Sequence, residues 1–279
     1  MGVSRRRTFR GARCLVTGAS SGLGRALAEH LAHSGARVLL TGRSTERLEA
    51  IVASLVASGI PADSVPTVAA DLTEASGRDR VIAKAGECFG ALDLAINGAG
   101  VGATGHFDTH DPSVFRTVFE INVFALVEMT RAMLPLLRRG ESPSLVNIGS
   151  IVARRGLPGR SEYTASKFAV AGFTEAIRAE WVKFGIDVML LNPGFTATEF
   201  EQNLVVDTAK VSVTHKRVMT ADQVARSTLR AVLRRRKELT LTAEGRMLLL
   251  VNRLAPRIVD AGLARFTRRV FGVSVSAPD

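Results

Sequence analysis

Aromatic side chains are scarce in this 279-residue chain: they make up 5% of it, with one tryptophan and one tyrosine. A body without interleaved aromatics and basic residues offers no stacking surface for nucleic acid. Cysteine is scarce too. Cys14 falls in an apolar, strand-like run and Cys88 in a helical pattern, with neither metal-ligand spacing nor a paired framework. That argues against a disulfide scaffold and a metal site, and fits a reducing, cytoplasmic setting. No run approaches 18 apolar residues, so no membrane-spanning helix is expected. What remains is ordinary for a globular protein: 46% apolar and 23% charged residues, enough chain for one large core.

The net charge of +11 is unevenly placed. Residues 1–13 carry five arginines and no acid, and residues 230–279 carry eleven basic and four acidic residues. The intervening body holds 21 basic and 22 acidic residues, so the basic excess belongs to the two ends. Arg5-Arg6-Arg7-Thr8-Phe9 has the look of a twin-arginine signal but lacks the apolar stretch that should follow. The chain therefore divides into a basic surface arm (1–10), one domain (11–243) and a basic helical extension (244–279).

Apolar runs at 13–17, 37–41, 67–70, 92–96, 144–148, 186–191 and 239–242 read as strands, several of them apolar throughout, as in strands covered on both faces. Helical patterns lie between them. Asp111-Pro112 opens one that reaches about Arg138, with a kink expected at Pro135, and Thr220 to Gln223 forms a capping box. Seven strands alternating with helices predict an α/β fold, a doubly wound parallel sheet of Rossmann type with helices on both faces.

The first strand runs into Thr17-Gly18-Ala19-Ser20-Ser21-Gly22-Leu23-Gly24, which opens a helix. Glycines between a strand and a helix let phosphate oxygens approach backbone N–H groups at the helix N-terminus. Gly18, Ser20, Ser21, Gly22, Leu23 and Gly24 are thus candidate cofactor-binding residues, the alternative being a glycine turn without a ligand. Dinucleotide folds selective for NAD place an acid after the second strand to hold the ribose 2′-hydroxyl. Gly42-Arg43 stands there instead, and a guanidinium suits a 2′-phosphate, so NADP(H) is favoured over NAD(H), the alternative being an ordinary surface arginine.

The lone tyrosine, Tyr163, precedes Lys167 by four residues and follows Ser150 by thirteen. At i and i+4 a phenol and an ammonium share one helix face. A cation beside the phenol favours the phenolate and poises it for proton transfer near neutral pH. A surface Tyr–Lys pair is the plain alternative.

With these motifs in order, the chain resembles the short-chain dehydrogenase/reductase superfamily, in its single-domain branch, over roughly residues 10–243. The resemblance rests on the Thr17–Gly24 loop, Asp71, Asn97-Gly98-Ala99-Gly100, Asn122, Ser150, Tyr163-x-x-x-Lys167 and Pro193-Gly194. It implies that Asp71 and Leu72 meet the adenine and that Asn97, Ala99 and Gly100 steady the adenine ribose side. Pro193, Gly194 and Thr196 would then flank the nicotinamide, and Asn122, Ser150, Tyr163 and Lys167 would form a catalytic tetrad. Gly98 departs from the family's second asparagine, which costs one local hydrogen bond. The implied reaction moves a hydride between nicotinamide and a carbonyl or secondary alcohol. Tyr163 acts as general acid or base, Ser150 orients the oxygen, and Lys167 tunes the phenol and reaches the nicotinamide ribose. Asn122 holds a water that relays protons to Lys167. A non-catalytic nucleotide sensor or scaffold has no need of all four tetrad residues. A nucleotide-sugar epimerase or dehydratase would call for a larger C-terminal substrate domain.

Segments 101–107, 151–160 and 195–219 are expected to line the substrate pocket, where Phe195, Phe200, Leu204, Val205 and Val206 point equally to an apolar ligand or to surface or core roles. The resemblance also implies a homodimer or homotetramer through helices at 112–138 and 162–184. In the extension, Val259, Leu263, Phe266 and Val270 recur on one helical face that the arginines avoid. That stripe has two destinations: the core or a partner subunit, or an anionic membrane at the inner face of the cell.

Overall fold

The computed structural model describes residues 7–202, 204–208 and 218–270. Seven strands form one parallel sheet: β1 (Arg13–Thr17), β2 (Arg37–Gly42), β3 (Thr67–Ala69), β4 (Leu94–Asn97), β5 (Ser144–Ile148), β6 (Asp187–Asn192) and β7 (Glu238–Thr240). Their spatial order is β7-β6-β5-β4-β1-β2-β3. The chain winds outward from β1 in one direction through β3, then returns to β4 and winds the other way. The switch point between β1 and β4 opens a crevice beyond their carboxyl ends. Thr17 and Asn97, paired in register, mark that edge.

Strand side chains alternate between two covered faces, which explains why the runs are apolar without alternation. Cys14, Val16, Val38 and Leu40 enter one core layer with Leu27, Leu31, Leu48 and Leu229. Leu15 and Leu39 enter the other with Val81, Met129, Met133 and Trp181. The first layer is covered by α1 (Gly22–His33), α2 (Thr45–Ala57) and α7 (Ala221–Leu233), the second by α3 (Ala75–Phe89), α5 (Ala125–Leu137) and α6 (Ser161–Glu180). Thr220 and Gln223 cap α7 reciprocally, as the sequence indicates.

The helix expected over 112–138 is two: α4 (Pro112–Phe119), capped by Asp111, and α5, joined by a π-helical turn at Glu120–Phe124. The interruption is at this widened turn and not at Pro135, which sits in the last turn of α5. Such turns concentrate where a side chain must be re-aimed, and Asn122 is its buried member. At the start of the chain, Phe9 is buried, and Arg7 donates to Val232 O (3.0 Å) and to Asp187 Oδ2 (2.9 Å). The last residues of the basic arm are thus tied to the body. The extension folds as α8 (Ala243–Leu254) and α9 (Pro256–Val270), broken at Ala255-Pro256. Among the described residues no helix is long and apolar enough to cross a membrane.

Candidate active site

The glycine loop lies at the carboxyl edge of β1. Gly18 and Gly22 have φ of 67° and 53°, the left-handed region that glycine adopts freely. Gly24 must be glycine for another reason: a Cβ there would lie 2.2 Å from Gly18 O. The loop is tied to the neighbouring segment through Thr17, whose Oγ1 accepts from Gly98 N (3.0 Å) and Ala99 N (3.3 Å). Gly98 packs so close that a Cβ would sit 2.5 Å from Thr17 O. In place of an asparagine side chain, this chain therefore uses a direct backbone-to-backbone approach. Asn97 points the other way: its Nδ2 donates to Thr130 Oγ1 and Asn147 Oδ1, both at 2.8 Å. Asn147 in turn donates to Thr174 on α6 at 2.9 Å. This buried polar chain fixes the edge of the sheet against α5 and α6.

At the end of β2, a Cβ on Gly42 would fall 2.8 Å from Ser20 Oγ, so the glycine loop closes down on this strand. Arg43 follows, exposed, and its charge reaches Asp71. Asp71 Oδ1 accepts from Thr73 N (2.9 Å) and Thr73 Oγ1 (2.7 Å). Burial opposes the Asp71 charge, but the Thr73 hydrogen bonds and the Arg43 guanidinium outweigh it and hold the carboxyl below its ordinary range. Ser21 caps α1 by position but gives its side chain no capping bond. Glycine turn, helix N-terminus and adjacent guanidinium together fit a dinucleotide with its phosphates at the start of α1 and its adenosine toward Arg43 and Asp71.

Helix α6 carries Tyr163 and Lys167, both buried. Lys167 Nζ lies 5.6 Å from the centre of the Tyr163 ring and donates to Ile148 O at 2.8 Å. Burial pushes the ammonium down to about 8. It is still roughly nine-tenths protonated at pH 7, so it presents a positive charge to the phenol. Asn122 is wholly buried. Its Oδ1 accepts from Val101 N (2.8 Å) and its Nδ2 donates to Val101 O (2.9 Å) and Ser166 Oγ (3.0 Å). Ser166 Oγ in turn donates to Tyr163 O at 2.8 Å. A Cβ on Gly100 would sit 3.1 Å from Asn122 Oδ1 and 3.7 Å from Lys167 Nζ, so both groups border the backbone at Gly100. Ser150 follows β5 in extended conformation and accepts from Val152 N at 3.3 Å. The turn it opens packs along α6. Pro193 and Gly194 follow β6, and Thr196 Oγ1 donates back to Gly194 O at 3.0 Å.

The opposite wall comes from the segment after Thr196, of which 203 and 209–217 lie outside the described residues. Phe200 stands 5.5 Å from Tyr163, ring to ring. Phe200 and Leu204 press on Gly102, where a Cβ would lie 2.9 Å and 2.6 Å from them. Residues Leu204–Asp207 pair with Gly102–Thr104 as a small parallel ribbon. Sequence reasoning missed the clasp beneath that ribbon. His110 Nδ1 lies 2.7 Å from Glu162 Oε1 with both side chains buried, and His110 Nε2 lies 3.3 Å from Thr208 Oγ1. Thr198 was also missed; it stands 3.4 Å from where a Cβ on Gly22 would be, and so meets the glycine loop. Ser166, three residues after Tyr163, was legible as a polar residue on the same helix face; His110 and Glu162, 52 residues apart, carried no local signal.

A groove of ≈ 550 Å³ lies beside this site, between the 155–168 segment and α9, with Leu157, Phe168, Asp260 and Leu263 among its walls. None of the four tetrad candidates lines it.

The family model for short chain dehydrogenase matches residues 12–209. The dehydrogenase/reductase SDR family member 7B of Bos taurus is 35% identical over 239 residues, covering 83% of this chain and 74% of that protein. A short chain dehydrogenase/reductase from Burkholderia phymatum, solved in complex with NAD, superposes with a TM-score of 0.81 at 25% identity, over 90% of this chain and 96% of that one. A short chain dehydrogenase from Burkholderia cenocepacia, solved in complex with NADP, gives 0.78 at 27% identity, over 92% and 99%.

Proposed function

The chain belongs to the short-chain dehydrogenase/reductase family, and from that premise we propose that it is an NADP(H)-dependent oxidoreductase acting on a carbonyl or secondary alcohol, with Tyr163 as general acid or base. The observation that carries this reading is the buried Tyr163–Lys167 pair on α6, set beside a glycine cradle that suits a dinucleotide. When bound, the nicotinamide supplies or takes the hydride.

The chain's own residues do the rest. As negative charge grows on the substrate oxygen, Tyr163 gives up its phenolic proton to it, and in the oxidising direction takes that proton back. Lys167, cationic and shielded from water, stabilises the phenolate left behind; in a dry site that interaction is stronger than it would be in solvent. Ser150 donates a hydrogen bond to the same oxygen and fixes its approach. Asn122 holds Val101 and, through Ser166, the backbone of Tyr163, so its side chain is a positioning group. Its Oδ1 accepts one hydrogen bond, from Val101 N, and keeps a second lone pair for the water that relays protons to Lys167. Phe200 and Leu204 support an apolar substrate.

The preference for NADP(H) rests on Gly42 and Arg43, which leave no carboxylate for a ribose 2′-hydroxyl and offer a cation for a 2′-phosphate. Phe124 and Phe168, exposed on α5's approach and on α6, support self-association through those helices. The two free cysteines accord with a reducing compartment. An NADPH- and NADH-oxidation assay across a panel of ketones and aldehydes of increasing chain length tests the proposal. Turnover with NADPH that improves with apolar length is expected; no oxidation of either nucleotide with any carbonyl, or a preference for NADH, overturns it.

A further inference from the structure

The apolar stripe legible in the extension is spent inside the molecule. Val259 is buried, Leu263 and Phe266 are half-buried, and α9 packs toward the 155–168 segment. The side chain of Val270 lies outside the described residues. A different apolar set faces outward. Met247, Leu250 and Leu254 recur at +3 and +4 along α8, and Ile258 follows in the first turn of α9; they are 60%, 51%, 75% and 67% exposed. Leaving four large aliphatic side chains in water on two consecutive helices is costly unless something covers them.

The surrounding charge says what. Arg246, Arg253, Arg257, Arg265, Arg268 and Arg269 are all exposed on the same two helices. The acids there are Glu244 and Asp260, and Asp260 is held by Arg155. A second copy meeting this face about a two-fold axis would bring arginines against arginines, which is repulsive. An anionic surface with an apolar layer beneath matches both components, and the helices are too short to do more than lie on it.

We propose that the outward face of α8 and the start of α9 docks on an anionic lipid surface. Met247, Leu250, Leu254 and Ile258 enter the boundary of the acyl chains, and the arginines engage lipid phosphates. The inference stands apart from the oxidoreductase reading, because vesicle binding is measured without substrate or nucleotide. The test is co-sedimentation of the full chain with vesicles of phosphatidylcholine alone or with one-third phosphatidylglycerol. Wild type should pellet with the anionic vesicles and be released by salt. L254E/I258E should lower that partitioning on the order of tenfold, with an unchanged thermal unfolding midpoint as the check on folding. R265Q/R268Q/R269Q, which alters only exposed side chains, should lower binding at low salt and flatten the salt dependence. Equal pelleting with both vesicle types, or both variants binding like wild type, overturns the proposal. So does a dimer that L254E/I258E splits without any vesicle binding, which would make this face a self-interface.

Discussion

The two sides of the crevice are built by different means. The glycine-loop side is mostly backbone against backbone, Gly24 on Gly18 O and Gly98 on Thr17 O, with the Thr17 hydroxyl as a tie between them. The side around Tyr163, proposed to face substrate, is mostly side chain against side chain, with Phe200 on Tyr163 and His110 on Glu162. Backbone contacts of the first kind admit only glycine, so they leave a fixed spelling in the chain. Contacts of the second kind accept many residues of similar volume. On the proposed reading, selectivity changes on the Tyr163 side while the glycine cradle stays the same.

Tyr163 stands where the two sides meet, and its removal should have the largest effect. Tyr163→Phe is expected to lower kcat by about 10²–10⁴-fold while nucleotide affinity, measured by fluorescence titration, stays within a few-fold. A variant retaining most of its turnover would remove the phenol from the mechanism. Next comes Arg43→Asp, which changes the cradle alone. It should weaken NADPH on the order of 10–100-fold, a charged hydrogen bond replaced by repulsion, and leave NADH nearly unchanged; equal losses for both nucleotides would detach Arg43 from the 2′ position.

Lys167→Met separates function from stability. The folded-state ammonium titrates at about 8, below its ordinary value of 10.5, because burial disfavours the charge. Below pH 8 both folded and unfolded chains are protonated and the full cost of burying the cation is present. Between about 8 and 10.5 the folded form loses its proton first, so wild-type stability rises with pH. The variant should be inactive, lack that rise, and be more stable at pH 7 by roughly 2 kcal/mol after the lost bond to Ile148 is discounted. Urea unfolding at pH 7 and 9.5 measures this, and a variant less stable than wild type at pH 7 would contradict it. The smallest effect belongs to the substrate wall: Phe200→Ala should raise KM several-fold for long apolar carbonyls, with NADPH affinity unchanged. A matching loss in nucleotide binding would show that the two sides are not separable.

The same contrast explains what was legible. All seven strands lie within two residues of the runs read from the sequence, because a strand covered on both faces has a composition of its own. The glycine loop and the spacing from Tyr163 to Lys167 are likewise local. The π-helical turn at Glu120–Phe124 was not legible, since its residues are as helix-compatible as their neighbours; the fold needs it to swing Asn122 onto Val101. The stripe at Val259, Leu263 and Phe266 was legible as a face, but periodicity does not say what a face meets. The clasp of His110 and Glu162 depends on two distant segments arriving together, as does the docking of Phe9 and Arg7.

Arg155 lies five residues after Ser150, and its guanidinium holds Asn252 on α8 at 3.0 Å and Asp260 on α9 at 2.5 Å. One side chain thus rivets both helices of the extension to the strap that leaves Ser150. Mechanically, the extension is a lever coupled to that strap through Arg155: on the proposed role of Ser150, a load on its outer face is passed toward the place where a substrate oxygen would sit.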